Sequence, residues 1–94
     1  MEIRFHIDPE TGEPHIHEHG IMEEEARQVL RGPGEEIRGT EDSRIKIGRT
    51  YAGRYVKVVY VPDEFGDGVF VITAYELRGK AKAAFRRRQR RKPR

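Results

Sequence analysis

Cysteine and tryptophan are both absent from this chain of 94 residues. Without cysteine there is neither a disulfide frame nor a thiolate zinc site, and a cytoplasmic setting is the default expectation. No apolar run approaches the roughly 20 residues of a membrane-spanning helix. The opening MEIRFHIDPE has no apolar stretch of signal-peptide length, so no membrane partner is expected. Apolar residues make up only 35% of the chain, which limits it to one small core and a single domain.

Acid is missing from one end. Residues 78–94 carry ten Lys/Arg and no Asp or Glu, while residues 1–77 carry nine basic and 16 acidic groups, a net of −7. The chain divides into a single domain, residues 1–85, and a polybasic tail, residues 86–94. A basic tail points to a polyanion or to an acidic protein surface, or else is a solvated end. Its own acidic segment, Glu35–Asp42, is a further candidate to meet it.

The densest strand signal is Arg54–Val61, RYVKVVYV, bracketed by Gly53 and Pro62. It is apolar on both alternations, as central strands are, and Lys57 interrupts it. Residues 2–7 alternate Ile3, Phe5 and Ile7 with polar neighbours, a half-buried first strand. PHIHEHG (14–20) fits either a helical turn or an extended piece. Met22, Ala26, Val29 and Leu30 form one helical stripe that ends at Gly32-Pro33, with Met22 where a serine or threonine would cap better. Residues 32–43 read as a mobile loop, with room for a short extended piece around Ile37. Ile45 and Ile47 mark a strand joined to Arg54–Val61 by a hairpin, and VFVITAY (69–75) marks another. Leu77, Ala81, Ala84 and Phe85 set a terminal helix. The fold class is α+β: a small antiparallel sheet, a three-strand meander plus the N-terminal strand, with one helix on a face and a basic C-terminal helix.

The hairpin register decides which cations are neighbours. A four-residue loop, Thr50–Gly53, places Ile47 opposite Val56 and Lys46 opposite Lys57, giving one apolar and one cationic face. A three-residue loop places Lys57 beside Ile47 and Ile45 instead. The first is the expectation, because it separates the faces by polarity.

Several segments together resemble the BrnT-like toxins and an uncharacterised bacterial domain family related to them. They are His19-Gly20 before an acidic first helical turn, GRTYAGRYVKVVYV (48–61), VITAY (71–75) and the basic terminal helix. The resemblance covers most of residues 14–88 and departs from the BrnT pattern at Tyr75, where arginine is usual. It implies the fold of RelE-type ribonucleases, which cut RNA without metal and are neutralised by a partner antitoxin.

Metal-free RNA cleavage needs a base for the ribose 2′-hydroxyl, an acid for the leaving oxygen and cations for the phosphate. The candidates are Lys57 and Arg54 gripping phosphate, with Tyr75 or His19 transferring protons. Lys46, Arg49, Arg78, Arg86, Arg87 and Arg88 are the candidate RNA-binding cations. His15, His17 and His19 share a face in a strand, and His15 and His19 share one in a helix. No fourth ligand is indicated and the HExxH pattern is lacking, so neither metal nor cofactor is assigned. The expected function is a small endoribonuclease toxin whose partners are RNA or the ribosome and a cognate antitoxin. The alternative is a non-catalytic RNA- or protein-binding module on the same scaffold.

Overall fold

The computed structural model describes residues 1–91. It is α+β: five strands in one mixed sheet, with a helix against each face. The strands are β1 (Ile3–Phe5), β2 (Gly34–Arg38), β3 (Arg44–Arg49), β4 (Tyr55–Pro62) and β5 (Val69–Glu76), in the order β1-β5-β4-β3-β2. The helices are α1 (Glu23–Arg31) and α2 (Gly79–Arg91), and a 3-10 turn spans His15–His19. β2 to β5 run antiparallel, and β1 lies parallel to β5. The sheet is therefore mixed at one edge, and β2, expected to be largely loop, adds a fifth strand. Lys92 and Arg94 of the polybasic segment lie outside the described residues.

Alternation along β4 separates its faces. Val56, Val58 and Tyr60 are buried toward α1, where Ile16, Ile21, Ala26 and Val29 close over them with Val71 and Ala74 of β5. Ile16, Ile21, Val29, Val56, Val58 and Val71 are the largest fully enclosed side chains. Each contributes about 1.5–3 kcal/mol by leaving water. The opposite face carries a smaller cluster of Ile47, Leu77 and Phe85, flanked by Ile45 and Tyr55. There α2 is held by the Leu77 N–H donating to Tyr55 O (2.8 Å) and by edge-to-face packing of Tyr55 on Phe85.

Two irregularities decide which side chains share a face. In the β3–β4 hairpin, Thr50 N–H donates to Arg54 O (2.8 Å), leaving a three-residue loop, Tyr51–Gly53. Gly53, at φ +94°, supplies the left-handed residue that such loops require. The register is thus the other of the two sequence alternatives. Ile47 pairs with Lys57, Lys46 with Val58, and Gly48 with Val56. In β5 the pairing shifts between Val59↔Thr73 and Tyr60↔Val71, so Ile72 has no partner and forms a bulge. Val69 and Val71 therefore face the core together with Ala74, whereas unbroken alternation would put Tyr75 among them.

The start of α1 lacks a hydroxyl cap, and Glu25 compensates by accepting the Met22 N–H (3.0 Å). At its other end Lys46 Nζ donates to Gly32 O (2.9 Å) and Leu30 O (3.4 Å). A cation there satisfies terminal carbonyls and suits the negative end of the helix dipole.

Candidate functional site

Lys46 and Lys57 lie on opposite faces of the sheet, and the cationic face expected from a four-residue loop does not form. Lys46 is committed to the end of α1. Lys57 sits on the α2 side of the sheet, opposite Tyr75, with Nζ 5.5 Å from the centre of the Tyr75 ring. Among the described residues its ammonium has neither a hydrogen bond nor an ion pair.

Tyr75 in turn meets His19, ring centres 5.9 Å apart and steeply inclined. β1 covers β5 only as far as Val71, so the remainder of that edge faces the 3-10 turn, whose last residue is His19. Gly20, left-handed at φ +74°, ends the turn with its N–H on His17 O. Lys57 on the inner strand β4, Tyr75 on β5 and His19 in the turn thus form a row that runs across the sheet to its open edge, with Tyr75 38% exposed. The row continues past His15 (5.5 Å from His19) and His6 (5.9 Å from His15) to Phe70.

Arg54 projects to the α1 face. Its guanidinium donates to both Glu25 oxygens (2.9 and 2.7 Å), to Glu76 (3.0 Å) and to Gly20 O (3.1 Å). Its bonds first to Glu25 and then to Glu76 raise its pKa above the usual arginine value, and the Arg54 bond holds the Glu76 carboxyl below its usual range. Arg54 is therefore a clamp between helix and sheet, apart from the Lys57 row. His17 is also occupied, 2.6 Å from Glu23, whose carboxyl this bond holds low.

The remaining sequence candidates divide by what they touch. Arg78 is exposed and reaches Glu76 at 3.4 Å. Arg88 makes a two-point bond to Glu35 (2.7 Å each), tying the basic helix to the start of the acidic segment and raising the arginine pKa. Arg87 is exposed on α2. Arg49 and Arg86 line a cleft of about 680 Å³ between the β3–β4 hairpin and α2, walled by Tyr55, Phe85, Gln89, Arg90, Pro33 and the glycines of β2 and β3. Arg49 lies over the Tyr55 ring, 5.4 Å from its centre, with Lys82 at 5.3 Å. Gln89 Nε2 is buried there with no hydrogen-bond partner among the described residues. Arg49, Arg86 and Arg90 make no ion pair among the described residues. The cleft thus offers donors and positive charge, and none of its lining residues is acidic.

Arg90 and Gln89 were not singled out by sequence, because the tail reads as uniform cation until α2 gives it an inner and an outer face. Among the described residues no helix is long and apolar enough to cross a membrane. No family model, no curated protein and no solved structure matches the chain.

Proposed function

We propose that this chain is a small RNA-binding protein of the RelE/BrnT type and a metal-independent endoribonuclease, with Lys57, Tyr75 and His19 as its reacting groups. One observation carries the reading: an unpaired ammonium, a phenol and an imidazole follow one another from the inner strand β4 out to the open edge beyond β5. Lys57 would hold the phosphate and offset the charge gained in the transition state. His19 would accept the 2′-hydroxyl proton, and Tyr75 would donate to the leaving 5′-oxygen. Arg54 has no part in this scheme, since both of its terminal nitrogens already bond Glu25, Glu76 and the Gly20 carbonyl. The arginine cleft would hold the flanking phosphates, and a cognate antitoxin would act by presenting acid to the same surface.

The test is incubation of the purified chain with total RNA in chelator. Cleavage leaving 2′,3′-cyclic phosphate ends is expected, and Lys57→Ala, Tyr75→Phe and His19→Ala should each slow it about 10²–10⁴-fold. Expression of the wild type alone should arrest growth, and Lys57→Ala should relieve the arrest.

A second reading is favoured by the cleft itself. Arg49, Arg86, Arg90 and the buried Gln89 amide suit phosphate oxygens without any chemistry. Intact RNA, together with binding that Arg86→Gln weakens, would establish a binding module in place of an enzyme.

A further inference from the structure

The histidine segment takes up a geometry that its sequence does not announce. In a 3-10 turn residues three apart eclipse one another, so His15 and Glu18 project from the same side. His15 Nδ1 lies 3.5 Å from Glu18 Oε2. The chain before the turn brings a third group. Ile7 bridges Pro14, His15 N–H donates to His6 O (2.9 Å), and Asp8 N–H donates to Glu13 O (2.8 Å). These bonds set Asp8 beside the turn, and the Glu10 N–H fixes its carboxylate through Oδ1 (2.9 Å). One ligand atom from each of Asp8, His15 and Glu18 falls within 4.8 Å of the others.

We propose that Asp8, His15 and Glu18 bind a divalent first-row transition ion of the zinc type. Two carboxylates brought together repel unless a cation or a shared proton lies between them, and His15 supplies the nitrogen that distinguishes a transition-ion site from a calcium or magnesium site. Three protein ligands leave the ion a coordination position for water. The Glu10 N–H on Asp8 orients one carboxylate as outer hydrogen bonds do in metal centres. His17 is excluded, because Glu23 holds it on another side of the turn. The ion would lock the 3-10 turn to the segment after β1. Because His15 touches His19, it would also steady the imidazole assigned above to RNA cleavage. That is a positioning effect, and the cleavage reading stands without it.

The test uses the full chain without a histidine tag, freed of metal, and ZnCl2 as the probe. Isothermal titration should give one Zn²⁺ per chain. At about 100 times the Kd, Zn²⁺ should raise the Tm by roughly 10 °C or more. Asp8→Asn, Glu18→Gln and His15→Ala should each weaken binding at least about tenfold, with metal-free circular dichroism unchanged. His19→Ala and His17→Ala should bind as the wild type does. The proposal is overturned if no heat and no Tm shift appear. It is overturned equally if both carboxylate variants bind normally while His19→Ala does not, which would mark a histidine pair. Competition by Mg²⁺ or Ca²⁺ at matching concentration would also overturn it. Because binding is read without RNA, and cleavage is read in chelator, failure of one leaves the other standing.

Discussion

Arg54 and Glu25, 29 positions apart, meet with Nη1 2.7 Å from Oε2. The same carboxylate receives the N–H of Met22, the residue that caps α1, and the same guanidinium reaches Glu76 of β5 and the Gly20 carbonyl. Helix start, hairpin and last strand are thus joined through one charged pair.

Arg54→Ala should therefore act on stability. It leaves two half-buried carboxylates without their partner, and bonds to charged groups are the costly ones to break. The expected result is a Tm lower by roughly 5–10 °C. RNA affinity measured well below that Tm should stay near the wild-type value. A selective loss of RNA binding at unchanged Tm would return Arg54 to the nucleic-acid surface.

The two strand lysines should separate cleanly. Lys46→Met removes the donor to Gly32 O and Leu30 O and should cost about 1 kcal/mol, read as a lower urea midpoint with RNA cleavage intact. Lys57→Met, which removes no hydrogen bond or ion pair of the ammonium, should leave the midpoint within about 0.5 kcal/mol and slow cleavage about 10²–10⁴-fold. Equal effects of both on cleavage would contradict their placement on opposite faces.

Acid should unfold the chain through Glu76 and Glu23. The bond from Arg54 lowers the Glu76 pKa, and the bond with His17 lowers that of Glu23. Each binds its proton more weakly folded than unfolded. The stability they give is complete above the ordinary glutamate pKa of about 4.3 and is lost as pH falls through their lower native values. Urea midpoints should stay level from about pH 7 to 5 and fall steeply below about 4. Glu76→Gln should start lower and show a shallower acid limb. An unchanged limb would show that the Arg54 pair does not set it.

Salt should report the arginine cleft. On single-stranded RNA each neutralised phosphate contributes a slope of about −0.7 in log K against log salt. Changing Arg49, Arg86 and Arg90 together to glutamine should flatten the slope by roughly 2. The same change at Arg88, which is bound to Glu35, should alter it much less. A slope that follows Arg88 instead would locate the RNA elsewhere on α2.

Much of the fold was legible because it rests on local pattern. The stripe of Ala26, Val29 and Leu30, the two-sided apolarity of Arg54–Val61 and the stop at Gly32-Pro33 need no distant partner to declare themselves. β2 was less so, since Glu35, Glu36 and Arg38 look like loop residues. They extend because β3 offers a free edge to pair with. The candidate site was legible in its residue types and not in its grouping. Lys57, Tyr75 and His19 come together, while Lys46 and Arg54 turn to the other face.

By itself the sequence determined the α+β class, the places of the helices and central strands, and the separation of an acidic body from a basic end. These follow from side-chain periodicity and charge along the chain. Only the tertiary structure decided which charges face one another. The three-residue loop closed by Gly53 turns Lys46 away from Lys57, and the single bulged residue Ile72 turns Tyr75 out of the core toward Lys57. A sheet alternates with period two, so one residue gained or lost in pairing exchanges its faces, and composition carries no record of that count.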